Sequence, residues 1–115
     1  MRRELLLLDE IVEASTRAID IASRHSVDSL RDNLDARDAL LWNMTVVGEA
    51  VGQLPDAIRE DHPDVPWSQP VRLRHRIVHG YWSVDLDVIH SVATGDLPGF
   101  VQQVQAVLRQ LEPQG

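Results

Sequence analysis

Cysteine is absent from this 115-residue chain, which excludes disulfides and thiolate-held metal and fits a reducing compartment such as the cytoplasm. Lysine is absent as well, all eleven basic residues being arginine. Long apolar runs are missing: Leu5 to Leu8 are interrupted by Asp9, Glu10 and Glu13, too early for a secretory core or a membrane span. No stretch alternates with the period of a strand, and no repeat, low-complexity tract or linker breaks the chain. The expectation is one all-α domain over residues 1–115, an antiparallel up-and-down bundle without a membrane partner. A core of this size is marginal unless a second surface covers part of it, so an oligomer is expected from the outset.

One further absence is local. Between Asp64 and Asp85 there is no carboxylate, and Arg72, Arg74 and Arg76 give that window +3 while the rest carries −10, together the net −7. His75 and His79 stand among them. A basic island on an acidic body points to one bound anion and not to general adhesion to nucleic acid.

What is present is helical periodicity. Leu8, Ile11, Val12, Ala18, Ile19 and Ala22 mark a first helix from about Arg3 to Arg24, and Leu40, Met44, Val47, Val51 and Leu54 mark a second from about Asp35 to Leu54. Ser26 to Asn33 reads as a polar connection. Pro55 ends the second helix, one or two turns fit Asp56 to Asp61, and His62 to Pro66 forces an extended link. Ser68 as N-cap and Pro70 in the first turn predict a helix over Gln69 to His79, stopped by Gly80. Asp85 caps a short helix to about Ala93, and Asp96 with Pro98 opens a last one along Leu97, Val101, Val104, Leu108 and Leu111.

On the basic helix, Arg74 and His79 are separated by about 140° around the axis. They flank a groove. A two-fold dimer built on this helix would place two copies of each around one anion. RNA cleavage without a metal needs a base for the 2′-hydroxyl proton, an acid for the leaving oxygen and a cation for the charge growing on phosphorus. Imidazole, with a reference pKa near 6.5, suits the proton transfers, and the guanidinium fork suits the phosphoryl oxygens.

Arg74-x4-His79-x-Tyr81 resembles the Arg-x4-His-x-Tyr signature of HEPN-domain toxins of the HepT-like family. Val47-Gly48-Glu49-Ala50, Leu54-Pro55 and Pro63 to Trp67 follow that family's order of segments, so the resemblance covers nearly the whole chain. It implies a homodimeric, metal-independent and cofactor-free endoribonuclease, with Arg74 and His79 in a composite site. It also implies neutralisation by a cognate minimal nucleotidyltransferase of the MntA type, which transfers AMP from ATP onto Tyr81. A nucleotide on that tyrosine would add charge and bulk beside the groove. His75 stands where many members carry asparagine.

Other readings remain open beside these. His79 alone would serve as a cation at a helix C-terminus, and His75 with His79 would make two ligands of a zinc site. Tyr81 would pack at the helix end with its hydroxyl in water. Trp42, Trp67 and Trp82 read as packing or interface residues, with Trp82 the candidate for stacking on a nucleotide. Arg72 and Arg76 are solvated charges or hold the RNA backbone. Glu49 lies at the surface or orients a motif cation. The functional alternative to a nuclease is a module that binds a nucleotide or antitoxin without significant cleavage.

Overall fold

The computed structural model describes residues 2–112. Helix α1 (Arg2–Arg24) buries Leu7, Leu8, Ile11, Ala14, Ala18 and Ala22 along one stripe, with Val12 and Ile19 flanking it. It packs on α3 (Leu34–Gly52) and on α7 (Leu97–Leu111), and α3 in turn packs on α5 (Ser68–His79). Burial of each large aliphatic side chain contributes about 1.5–3 kcal/mol. The expected stripe of α3 is buried, but so are Leu41, Asn43, Gly48 and Ala50, because α3 is flanked by α1 and α5 on different sides. Among the described residues every regular element is helical, and no helix is long and apolar enough to cross a membrane.

Three departures from the sequence reading have local causes. The polar stretch after α1 holds α2 (Val27–Asp32), capped by Ser26 Oγ, which accepts from Ser29 N at 3.1 Å. One buried residue, Leu30, anchors it, too little for a periodicity to register. Asn33 then closes α2 and caps α3, its Oδ1 accepting from Ala36 N at 3.1 Å.

Helix α5 starts at Ser68 after Trp67, so Ser68 is not its N-cap; its hydroxyl accepts from Arg72 Nη1 at 2.9 Å instead. Trp67 is buried, its indole N–H donating to the His62 carbonyl at 3.0 Å and its ring meeting Phe100 edge-on at 6.1 Å. Between Trp67 and α3 lie Leu54, the short helix α4 (Asp56–Asp61) and buried Ile58.

Two separate helices were expected after Asp85. Instead α6 (Leu86–Ser91) runs into α7 through a π-helical turn over Val92–Asp96, where Leu97 N donates to Val92 O, five residues back. Pro98 has no N–H to give Thr94 and its ring would crowd that carbonyl in a regular helix. Widening the turn accommodates both.

Candidate functional site

Gly48 sets the geometry. A Cβ there would stand 2.4 Å from Arg74 Cβ and 2.5 Å from the Pro70 carbonyl oxygen, so only glycine lets α5 lie this close to α3. The approach brings Arg74 to Glu49, the next residue on α3, with Nε 2.9 Å from Oε2. Arg74 Nε is buried without an aligned hydrogen-bond partner, so the contact is an ion pair and not a directed bond. Glu49 is steadied from behind: Gln53 Nε2 donates to its Oε1 at 3.1 Å, and Arg3 Nη2 donates to Gln53 Oε1 at 2.9 Å. Glu49 thus lies at the surface and also touches a motif cation.

His79 is exposed in the last turn of α5. Its ring lies against that of His75, centroids 4.2 Å apart and planes tilted by 50°. Among the described residues no group of three or more potential ligands surrounds this pair. Arg74 and His79 thus present to different sides of α5, as the spacing requires.

Tyr81 sits in a 3-10 turn over Tyr81–Ser83, held by Ser83 N donating to the Gly80 carbonyl at 2.9 Å. Its hydroxyl does not point freely into water: it donates to the Asp38 carboxylate on α3. Arg37 lies 5.7 Å over the tyrosine ring and pairs with Asp38 at 3.1 Å. Burial, and then the bond to Asp38, push the Tyr81 hydroxyl above the usual tyrosine value. The same bond, followed by the Arg37 contact, holds the Asp38 carboxyl below its usual range. Tyr81 is therefore a neutral donor at ordinary pH and Asp38 an ionised acceptor.

Asp38, Trp42, Val78 and Tyr81 line a shallow cavity of about 380 Å³ with Thr45 and Ile77. Trp42 is 66% and Trp82 89% exposed, and neither ring pairs with another aromatic among the described residues. Arg72 and Arg76 are not here. They belong to the other side of α5, facing a cleft toward α6 and α7.

Arg37 and Asp38 escaped the sequence reading because nothing local marks them. Their signal is helical: Asp38, Trp42, Thr45 and Glu49 step by four, three and four along α3, so the acids that meet Tyr81 and Arg74 share one stripe.

A family model described as ribonuclease HepT-like matches residues 11–107. A protein of Methanocaldococcus jannaschii named "Putative RNase MJ0127" is 25% identical over 91% of this chain and 87% of its own. One of Caldanaerobacter subterraneus subsp. tengcongensis named "Putative RNase TTE0752" is 30% identical over 71% of this chain and 72% of its own. A third, from Thermococcus cleftensis and named "Probable ribonuclease HepT", is 29% identical over 77% of this chain and 76% of its own. No solved structure gives a significant match. With the family match spanning the helices that carry Glu49, Arg74, His79 and Tyr81, the chain belongs to the ribonuclease HepT-like family.

Proposed function

We propose that the protein is the toxin of a toxin–antitoxin pair, a homodimeric and metal-independent endoribonuclease whose site is completed by a second copy of the chain. The observation that carries this reading is the placement of Arg74 and His79. Arg74 is fixed against Glu49, His79 is exposed on a different side of the same helix, and the helical spacing puts Val78, which lines the shallow cavity with the uncovered Trp42, between them. A two-fold contact over that aromatic surface removes apolar area from water and sets each arginine opposite the partner copy's histidine.

In the joined site one imidazole takes the 2′-hydroxyl proton and the 2′-oxygen attacks phosphorus. The second imidazole protonates the departing 5′-oxygen, leaving a cyclic phosphate. The guanidinium of Arg74 neutralises the charge on the non-bridging oxygens. His75, packed on His79, limits the orientations of that ring.

Silencing follows from Tyr81. Its oxygen attacks the α-phosphorus of ATP held by a cognate nucleotidyltransferase of the MntA type, pyrophosphate leaves, and Asp38 takes the hydroxyl proton. The AMP so attached stands at the aromatic surface and obstructs RNA.

The test is cleavage of RNA by purified protein in excess chelator. The proposal expects products from the wild type and a loss of at least about 10²-fold in His79→Ala and Arg74→Ala. A requirement for divalent metal, or equal activity in the variants, contradicts it. Co-expression with the nucleotidyltransferase is expected to add adenylyl mass to the wild type and none to Tyr81→Phe.

A further inference from the structure

The cleft that receives Arg72 and Arg76 is separate from the surface around Tyr81. Helices α5 and α7 diverge and leave a cavity of about 530 Å³ over Met44, Val47, Leu97 and Phe100. A second depression of about 370 Å³ joins it, the two sharing Leu73, Arg76 and Val88, and reaches His79 and Gly80. The two depressions therefore adjoin between His79 and the apolar cavity, and together are called the groove.

The wall of that groove is one stripe of α5. Gln69, Arg72, Arg76 and His79 are separated by three, four and three residues, which places them within about 80° of each other and along about 15 Å of helix. Arg76 makes no ion pair or hydrogen bond among the described residues, and Arg72 only bonds Ser68. Two arginines about 6 Å apart along a helix, unneutralised and leading to a histidine, suit successive phosphates of one strand.

Two carboxylates also border the groove and decide what lies where. Asp85 is occupied as the cap of α6, accepting from Asp87 N at 2.9 Å and Val88 N at 3.3 Å. Asp96 belongs to the apolar cavity, together with Gln69 and Gln103. A phosphate is excluded beside Asp96, whereas the amine or ring N–H of a base donates to it. Gln103 Nε2 is engaged with the Asp64 carbonyl at 3.2 Å, which leaves its amide oxygen as a further acceptor.

We propose that this groove is the track of the RNA strand beyond the cleaved bond, with Arg76 and Arg72 holding consecutive phosphates and one base lodged over the Leu97 and Phe100 floor. The proposal rests on the ribonuclease reading and extends it from His79 along the Arg72 and Arg76 side of α5. A base pocket also accounts for the π-helical turn, whose Val92, Gly95 and Asp96 form part of the cavity wall.

The experiment compares a dinucleotide with a longer oligoribonucleotide as substrates, in wild type, Arg72→Ala/Arg76→Ala and Gly99→Leu. Gly99 lines the cavity, and a Cβ there meets nothing within 4 Å, so a leucine adds bulk at the cavity's edge with no clash at its Cβ. The double variant is expected to lose about tenfold of the wild-type preference for the longer substrate, through KM. Its binding of catalytically inactive-site complexes of that RNA is expected to depend on salt with a log–log slope shallower by about 1.4, two phosphates at single-strand density. Gly99→Leu is expected to cleave the dinucleotide as wild type does and the longer RNA several-fold less well.

Unchanged kinetics on the longer RNA in both variants overturn the track, as does an equal fall on both substrates. Loss of AMP binding in Gly99→Leu with RNA cleavage intact also overturns it, in favour of a small-molecule pocket. A wild type that cleaves neither substrate brings down the ribonuclease reading itself, a result distinct from the others.

Discussion

Gly48 and Arg74 touch across the α3–α5 contact so closely that a side-chain carbon at position 48 would stand 2.4 Å from Arg74 Cβ. The glycine is buried in mid-helix, where alanine would ordinarily stabilise by about 1 kcal/mol. Here the Pro70 carbonyl, 2.5 Å from that carbon, belongs to backbone and yields only if α5 moves. Overpacking of this kind costs about 1–3 kcal/mol, so the clash wins. Gly48→Ala is expected to lower the unfolding free energy by about 1–2 kcal/mol and to reduce RNA cleavage by more than its folded fraction accounts for, since Arg74 shifts off Glu49. Denaturant melts paired with single-turnover cleavage check both parts.

Tyr81 is the single tyrosine of the chain, so its ionisation is read directly from tyrosinate absorbance. The wild type is expected to titrate above the usual value of about 10, burial being the first cause and Asp38 the second. Asp38→Asn is expected to titrate lower while staying raised. The signs for stability follow from linkage. The raised Tyr81 value gives a contribution present below the unfolded tyrosine range and lost as pH climbs through the folded one. The depressed Asp38 value gives one present above the unfolded carboxylate range and lost as pH falls through the folded one. Melts across pH should show the acid limb reduced in Asp38→Asn; identical limbs contradict the assignment.

His90 ties α6 to the end of α1, its Nε2 lying 3.0 Å from the Ala22 carbonyl and 2.8 Å from that of His25. These are carbonyls at a helix C-terminus with no intrahelical donor, and a ring N–H satisfies them. His90→Ala is expected to destabilise by about 1–2 kcal/mol while leaving cleavage per folded molecule unchanged. Chemical denaturation and an activity assay at a temperature where both proteins are folded separate the two effects.

Trp42 is more than half exposed and makes no aromatic pair among the described residues. Trp42→Glu is expected to leave the melting curve of the isolated chain within about 0.5 kcal/mol of wild type and to shift the protein from dimer to monomer in analytical ultracentrifugation, with cleavage lost in parallel. A variant that remains dimeric and active places the contact between copies elsewhere.

Helix α3 was legible because it carries a regular apolar stripe, Leu40, Met44, Val47 and Val51 being buried as their spacing requires, whereas α5, with Ile77 its one buried residue, was legible from Pro70 in its first turn and Gly80 at its end. Membership of the ribonuclease HepT-like family was legible from Arg74, His79 and Tyr81 with the segments around them. Hidden were features that depend on what faces a residue. Asp38 looks like a solvated acid until α5 brings Tyr81 to it. Arg72 and Arg76 looked like companions of Arg74, yet a shift of two positions carries a side chain about 200° around a helix. The π-helical turn was hidden for a different reason: Pro98 signals a break, and the chain widened one turn instead of breaking.

The central claim is that two copies of the chain build one site, and mixed dimers test it most directly. Wild-type and His79→Ala proteins are unfolded, mixed in equal amounts, refolded together and assayed on RNA in chelator. Heterodimers, which hold one His79 where cleavage needs two, are expected to be nearly as slow as the variant, so the mixture falls to about a quarter of wild-type activity. Activity of the mixture equal to the average of the two separate proteins, with heterodimers demonstrated by mass, would contradict a shared site.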